Sequence, residues 1–215
     1  MSVSLTATNM VGTLKQLRFQ YTPQIEYGND VKYDAYSLTH TNYQPYAYSR
    51  TENPTISLTC KFSAHTKEHF DHSEYAIRFL RTYTKMNYGR TDNQRGQTPR
   101  ILRFYAHGSP IFNNVPVVIS KFSMTFPDDI DYVKGVFSPD NKLVDATRDV
   151  KTPTTEVPKA GADGAPQMTA NNEFYLPVFF TINIGLLMQP NIYKAVNEFN
   201  LEDFSKGALS SKGYI

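Results

Sequence analysis

Five residues in one short stretch carry groups that could hold a metal ion: His65, Glu68, His69, Asp71 and His72. Imidazoles and carboxylates three or four residues apart share a helix face and can ligate zinc. The order differs from H-E-x-x-H, in which two zinc-bound histidines flank a general base, and His65 precedes the helix that the following residues form. On the helical wheel His69 and His72 fall beside Ala76 and Tyr83, which favours two partly buried histidines over a metal centre. Asp128, Asp129 and Asp131 follow Pro127. A calcium loop would need twelve residues closed by a Glu, so a solvated turn or an ion-pair partner for another chain is the better reading. The lone cysteine, Cys60, sits on the inward side of a strand and reads as a small apolar filler. There is no G-x-S-x-G, phosphate loop or dinucleotide fingerprint. The expectation is a chain without catalytic residues, cofactor or metal.

The elements around these groups follow from periodicity. Lys67, Asp71, Glu74, Arg78, Arg81 and Lys85 recur every three or four residues and form a charged stripe. Phe70, Ala76, Ile77, Leu80 and Tyr83 lie opposite, so the spacing predicts one amphipathic helix over about 67–87. Phe70, Ile77, Leu80 and Tyr83 are its packing face. Gly89 stands where a left-handed residue after the helix is wanted. Glu74 and Arg78 are ordered for an i,i+4 pair. Ahead of the helix, Ile56, Leu58, Cys60 and Phe62 alternate with Ser57, Thr59 and Lys61, a half-buried strand. Leu17, Phe19 and Tyr21 predict another that stops at Pro23; a further strand is expected from Lys32 to Leu38 after the turn at Tyr27-Gly28-Asn29-Asp30. The polar, Tyr-rich stretch from Thr39 to Asn53 reads as a loop or arm.

Beyond the helix, strands are expected at Arg100–Ala106, Val115–Phe126 and Val178–Met188. His107-Gly108-Ser109-Pro110 reads as a turn, as does Asn113-Asn114. Val117 and Ile119 share odd parity whereas Phe122, Met124 and Phe126 share even parity, which requires a β-bulge or a change of covered face. Val178, Phe180, Ile182, Ile184, Leu186 and Met188 give six inward positions. Strands of eleven or twelve residues reach about 36–40 Å, roughly twice the usual length. Either they bend within a sandwich or they extend to pair with other chains.

Composition fits a folded chain, with 40% hydrophobic and 20% charged residues. A net charge of +2 without a basic block argues against nucleic-acid recognition. A single cysteine fits folding in a reducing cytoplasm, and no secretory signal or apolar membrane span is seen. Seven of the 15 Tyr lie between Tyr21 and Tyr48, and Tyr suits surfaces that are buried only on association. Residues 135–171 lack periodicity and predict an arm that orders against a partner. Residues 190–215 form a tail, with short helical turns, Asn200 as a cap and Gly207 as a stop. The whole, 1–215, is expected to be one domain.

Several segments carry a resemblance. Asn53-Pro54-Thr55-Ile56-Ser57-Leu58-Thr59-Cys60-Lys61-Phe62 and Thr84-Lys85-Met86-Asn87-Tyr88-Gly89 resemble baseplate and tail-tube-initiator proteins of contractile-tailed phages. So do Leu102-Arg103-Phe104-Tyr105-Ala106-His107-Gly108, Phe112-Asn113-Asn114-Val115-Pro116-Val117-Val118-Ile119 and Phe126-Pro127-Asp128-Asp129-Ile130-Asp131-Tyr132-Val133. The likeness covers about 53–133 and, more loosely, 174–188. It implies a β-rich α+β, tail-tube-like fold: a bent antiparallel β-sandwich or barrel with one flanking helix. It further implies a homo-oligomeric, hexameric ring with a shared β-barrel, which links the tail tube protein to baseplate hub and wedge proteins. Such a ring nucleates the tube and lets genomic DNA pass without sequence recognition. The chain would then be a virion component assembled in the host cytoplasm, with no membrane contact. The strands expected to pair between subunits carry Leu102, Phe104, Val117, Ile119, Phe122, Met124, Phe180, Ile182, Ile184 and Leu186. Two other readings stand beside this one: the major tail tube protein, and a monomeric β-sandwich binding module with a Tyr-rich loop.

Overall fold

The computed structural model describes residues 3–11, 14–108, 111–137, 143–147 and 172–215. In chain order the elements are β1 (Ser4–Val11), β2 (Leu14–Arg18), β3 (Gln24–Gly28), β4 (Val31–Ala35), β5 (Tyr46–Thr51) and β6 (Thr55–Ser63). Helix α1 (Lys67–Tyr83) is followed by β7 (Leu102–Ala106), β8 (Phe112–Thr125), β9 (Tyr132–Phe137), β10 (Leu143–Thr147), β11 (Asn172–Pro177) and β12 (Phe179–Met188). Short helices α2 (Ile192–Glu198) and α3 (Leu201–Ser205) end the chain, with a single 3-10 turn at Ser210–Lys212. The protein is β-rich with antiparallel pairing throughout and few helices.

The main sheet has seven strands in the order β2-β1-β7-β8-β12-β6-β3. Its centre is built on matched alternation. Phe180, Ile182, Ile184 and Leu186 stand opposite Phe62, Cys60, Leu58 and Ile56, and all eight side chains are buried. Period two puts their neighbours Ser57, Thr59, Lys61, Thr181 and Asn183 on the other face. At about 25 cal/mol per Å² of apolar surface removed from water, this doubly matched row is a major source of stability.

The parity change within β8 is a bulge. Gly185 pairs with Lys121 and Leu186 with Ile119, so Ser120 has no partner on β12. Its Oγ instead donates to the Gly185 carbonyl at 3.0 Å. The extra residue returns Phe122 and Met124 to the face of Val117 and Ile119, where they pack against the core. A second bulge corrects the expected turn at Asn113-Asn114. Both residues lie inside β8 opposite Tyr105, and Asn114 takes the left-handed φ of 58° that Asn tolerates.

Helix α1 begins at Thr66, whose hydroxyl accepts from the His69 amide at 3.3 Å. Phe70, Ala76, Ile77, Leu80 and Tyr83 are buried as expected, together with Ser73 and Phe79. Tyr83 Oη donates to the Leu14 carbonyl at 2.5 Å. Glu74 and Arg78 pair on the charged flank. The helix ends four residues before the expected Asn87, at a Thr84 cap, and Gly89 is not its left-handed terminator. The cause is Asn87: its amide donates to Gln97 and its carbonyl accepts from Gly96, so its backbone belongs to the following loop.

A three-stranded sheet, β10-β9-β11, covers part of the helix. Gly135 on β9 faces the Phe70 ring, and a Cβ there would collide with that ring and lie 2.8 Å from the ring of Phe174. Thus, of the stretch expected as an arm over 135–171, residues 135–137 belong to β9 and 143–147 form its partner β10; the rest of it lies outside the described residues.

The Tyr-rich stretch is also corrected. Residues 46–51 form β5, which pairs with β4 in a separate two-stranded hairpin. In the tail, Asn200 caps α3 by accepting from the Glu202 amide at 2.9 Å, and Gly207 is left-handed. Among the described residues no helix is long and apolar enough to cross a membrane.

Candidate assembly interface

The histidines expected near one another on α1 go to separate partners. His65 stacks edge-on against Phe179 at 4.3 Å, and His72 lies parallel to Phe62. His69 is exposed rather than partly buried, with Nδ1 3.2 Å from Ser63 Oγ. Among the described residues no three His, Cys, Asp or Glu side chains are grouped to hold a metal. Burial pushes the Cys60 thiol up to about 12, so it stays protonated and inert.

Ser63 and His69 stand at the distance of a nucleophile and its base. Ser63 is fully buried, however, and its hydroxyl also meets Tyr21 Oη at 3.1 Å. Its backbone amide and carbonyl are both taken by the Gln20 carboxamide, at 2.8 and 3.2 Å. Gln20 Nε2 further reaches the His69 carbonyl and Ser73 Oγ. This network fastens the end of β2 to the end of β6 and to α1. Its geometry is that of a clamp, since no substrate can reach Ser63 Oγ.

Of the strands expected to meet other subunits, two have both edges taken within this chain. Strand β7 lies between β1 and β8, and β12 is paired with β6 on one side and β8 on the other. Leu102, Phe104, Val117, Phe180, Ile182, Ile184 and Leu186 are buried in this chain's own core; Ile119, Phe122 and Met124 are half-buried beside it. Strand β8 is different. Its pairing with β7 ends at Val117, so among the described residues Val118–Thr125 is hydrogen-bonded on the β12 side alone. Eight residues of open edge remain.

Two further surfaces are exposed. Hairpin β4–β5 leaves the sheet where Gly28 pairs with Thr55, closed at its base by Lys32 and Glu52 at 2.5 Å. Tyr33, Tyr36, Tyr43, Tyr46 and Tyr48 on it are 57% to 87% exposed. Tyr33 and Tyr48 meet edge to face, the one aromatic pair internal to the hairpin among the described residues. A two-stranded ribbon without a covered face is marginal alone. The alternation Tyr46-Ala47-Tyr48-Ser49-Arg50 was the available strand signal, masked by the turn residues before it.

The tail is the second surface. Leu209 is buried, and Gly213, at φ +87°, lies so close to the Asn114 bulge that a Cβ would sit 2.6 Å from the Asn114 carbonyl. The Gln189 amide donates to Pro116 at 2.8 Å, so the tail covers the side of β8 that β12 leaves open below Met188. A cleft of about 650 Å³ remains there, lined by Arg103, Met188, Lys194, Glu198 and Lys212 among others. Ile192 at the rim of the cleft, and Tyr193, Val196 and Leu201 outside it, are 71% to 78% exposed. No protein-family model and no curated protein sequence matches the chain.

Proposed function

We propose that the chain is a structural virion protein of a contractile phage tail, a ring-forming subunit of a tail-tube-like, bent antiparallel β-sandwich or barrel. The ring, a hexamer, links the tail tube to the baseplate hub and wedge, nucleates the tube and lines the channel through which DNA passes. The observation that carries the reading is the edge of β8 from Val118 to Thr125, which among the described residues has no partner on the side away from β12. A long strand with unpaired amides and carbonyls is a template for another chain, and closure with neighbours satisfies it. The sequence expectation of strands pairing between subunits thereby narrows to half of β8.

Two features support it. The face of β6, β8 and β12 turned from the core carries Ser57, Thr59, Ser123, Thr125, Thr181 and Asn183, with Lys61 and Lys121. A wet face with few fixed charges offers little to hold a polyanion in place. The exposed tyrosines and apolar tail residues are surfaces suited to burial on assembly.

Cryo-electron microscopy of the virion, or of the chain co-expressed with neighbouring tail proteins, tests the proposal. The expected result is a ring in which another chain pairs with Val118–Thr125. A chain that remains monomeric in every combination, with a ligand gripped by the Tyr-rich hairpin, would replace it with the binding-module reading. Stacks of this chain alone would favour the major tube protein.

A further inference from the structure

We propose that the β4–β5 hairpin of one copy docks on the exposed apolar face of the tail, α2 and α3, of a second copy, head to tail around the ring. The inference rests on the ring-subunit reading and specifies a contact separate from the β8 edge.

Among the described residues neither surface has a cover of its own. From Ala35 to Ser49 the hairpin contains no Asp, Glu, Lys or Arg, only Tyr, Ser, Thr, Asn, Gln and apolar residues around His40. Such a surface binds through large rigid rings and adaptable hydrogen bonds, and loses little by desolvating charge. The tail presents the matching chemistry. Ile192, Tyr193 and Val196 share one face of α2, while Lys194 and Glu198 fall on the other. Leu201 extends the patch onto α3.

Area argues for a real interface. A buried aromatic side chain removes about 150–250 Å² from water. Five tyrosines, each more than half exposed, therefore hold roughly 500–830 Å², about the ~800 Å² that each partner contributes to a standard interface.

The fold also sets the direction of the contact. The hairpin departs at the Gly28–Thr55 pair, and the Met188 amide donates to Pro54 at 3.2 Å immediately before the tail begins. Hairpin and tail thus leave the same end of the sheet, yet the hairpin residues from Asn29 to Tyr46 are all exposed, so among the described residues none of their own chain covers them. A contact between these two different surfaces is heterologous. With both at one end, neighbouring copies stand side by side with like ends level, the arrangement a closed ring requires.

The test uses the full chain and two surface variants, measured by sedimentation across a concentration series. One carries Tyr36→Ser, Tyr43→Ser and Tyr46→Ser; the other carries Ile192→Glu and Val196→Glu. Each alone is expected to assemble about tenfold or more weakly than wild type. An equimolar mixture is expected to stop at dimers, because each mixed pair keeps one intact contact. A second measurement uses Tyr43→Cys and Val196→Cys in separate chains, which should form a disulfide across the contact while buried Cys60 stays silent. Wild-type assembly by both variants, or a mixture that stays monomeric, would overturn this contact and leave the ring reading standing. A wild-type chain that never self-associates would overturn it together with the ring.

Discussion

His72 shows how much one side chain's surroundings can decide. It lies against Phe62, and burial holds its imidazole below the ordinary 6.5; a backbone hydrogen bond to Arg18 opposes the shift and the neighbouring His69 adds to it. Its Nδ1 is buried without a hydrogen-bond partner among the described residues. The unfolded chain therefore binds a proton more readily than the folded one, and stability is present above the unfolded value and lost as pH falls through the window beneath it. Lowering pH from about 7.5 to about 5.5, across the ordinary imidazole range, should lower the melting temperature, and His72→Phe should flatten that part of the profile. An unchanged slope in the variant would show that other groups govern it. The helical wheel was enough to place His72 against the core, but not to separate it from His69. What distinguishes them is Ser63, which draws His69 to the helix margin through a contact between elements.

At the scale of elements, period two and period 3.6 were legible wherever one face meets a continuous core. The inward rows of β6 and β12 and the packing face of α1 were readable for that reason. The end of α1 was not, because Asn87 is held by a loop ten residues on. Nor was β5, whose partner β4 gives it no buried face and hence little apolar alternation. The β8 parity change was readable as a bulge, and it leads to a prediction. Removing Ser120 leaves the pairs Ile119–Leu186, Lys121–Gly185 and Phe122–Ile184 in unbroken alternation. That deletion should cost only about 1 kcal/mol, the worth of the lost Ser120–Gly185 hydrogen bond. Deleting Ser123 instead should turn Met124 out of the core and cost several times more. Denaturant unfolding of the two variants compares them directly, and equal losses would refute the bulge's role as a parity corrector.

For the molecule as a whole, the β-rich class and the single long helix could be read ahead of the structure, whereas the order of strands could not. Strand order depends on which edges meet, and the Gln20–Ser63 clamp that draws β2 toward β6 joins residues 43 positions apart. The candidate site was legible as a composition, a concentration of tyrosine, but its shape as a paired, projecting hairpin was not. The same limit applied to the strands thought to face other subunits: pairing on both edges within the chain's own sheet is a property of topology, not of alternation.

The half-paired state of β8 has a consequence for solvent exchange. On either side of the Ser120 bulge, successive amides of Val118–Thr125 point to opposite sides, so in the free subunit those turned from β12 should trade their protons for deuterium quickly while those toward β12 are slow. Engagement of that edge would convert this comb into uniform protection. The spacing of the signal, read amide by amide, would then register assembly without any image of the assembled particle.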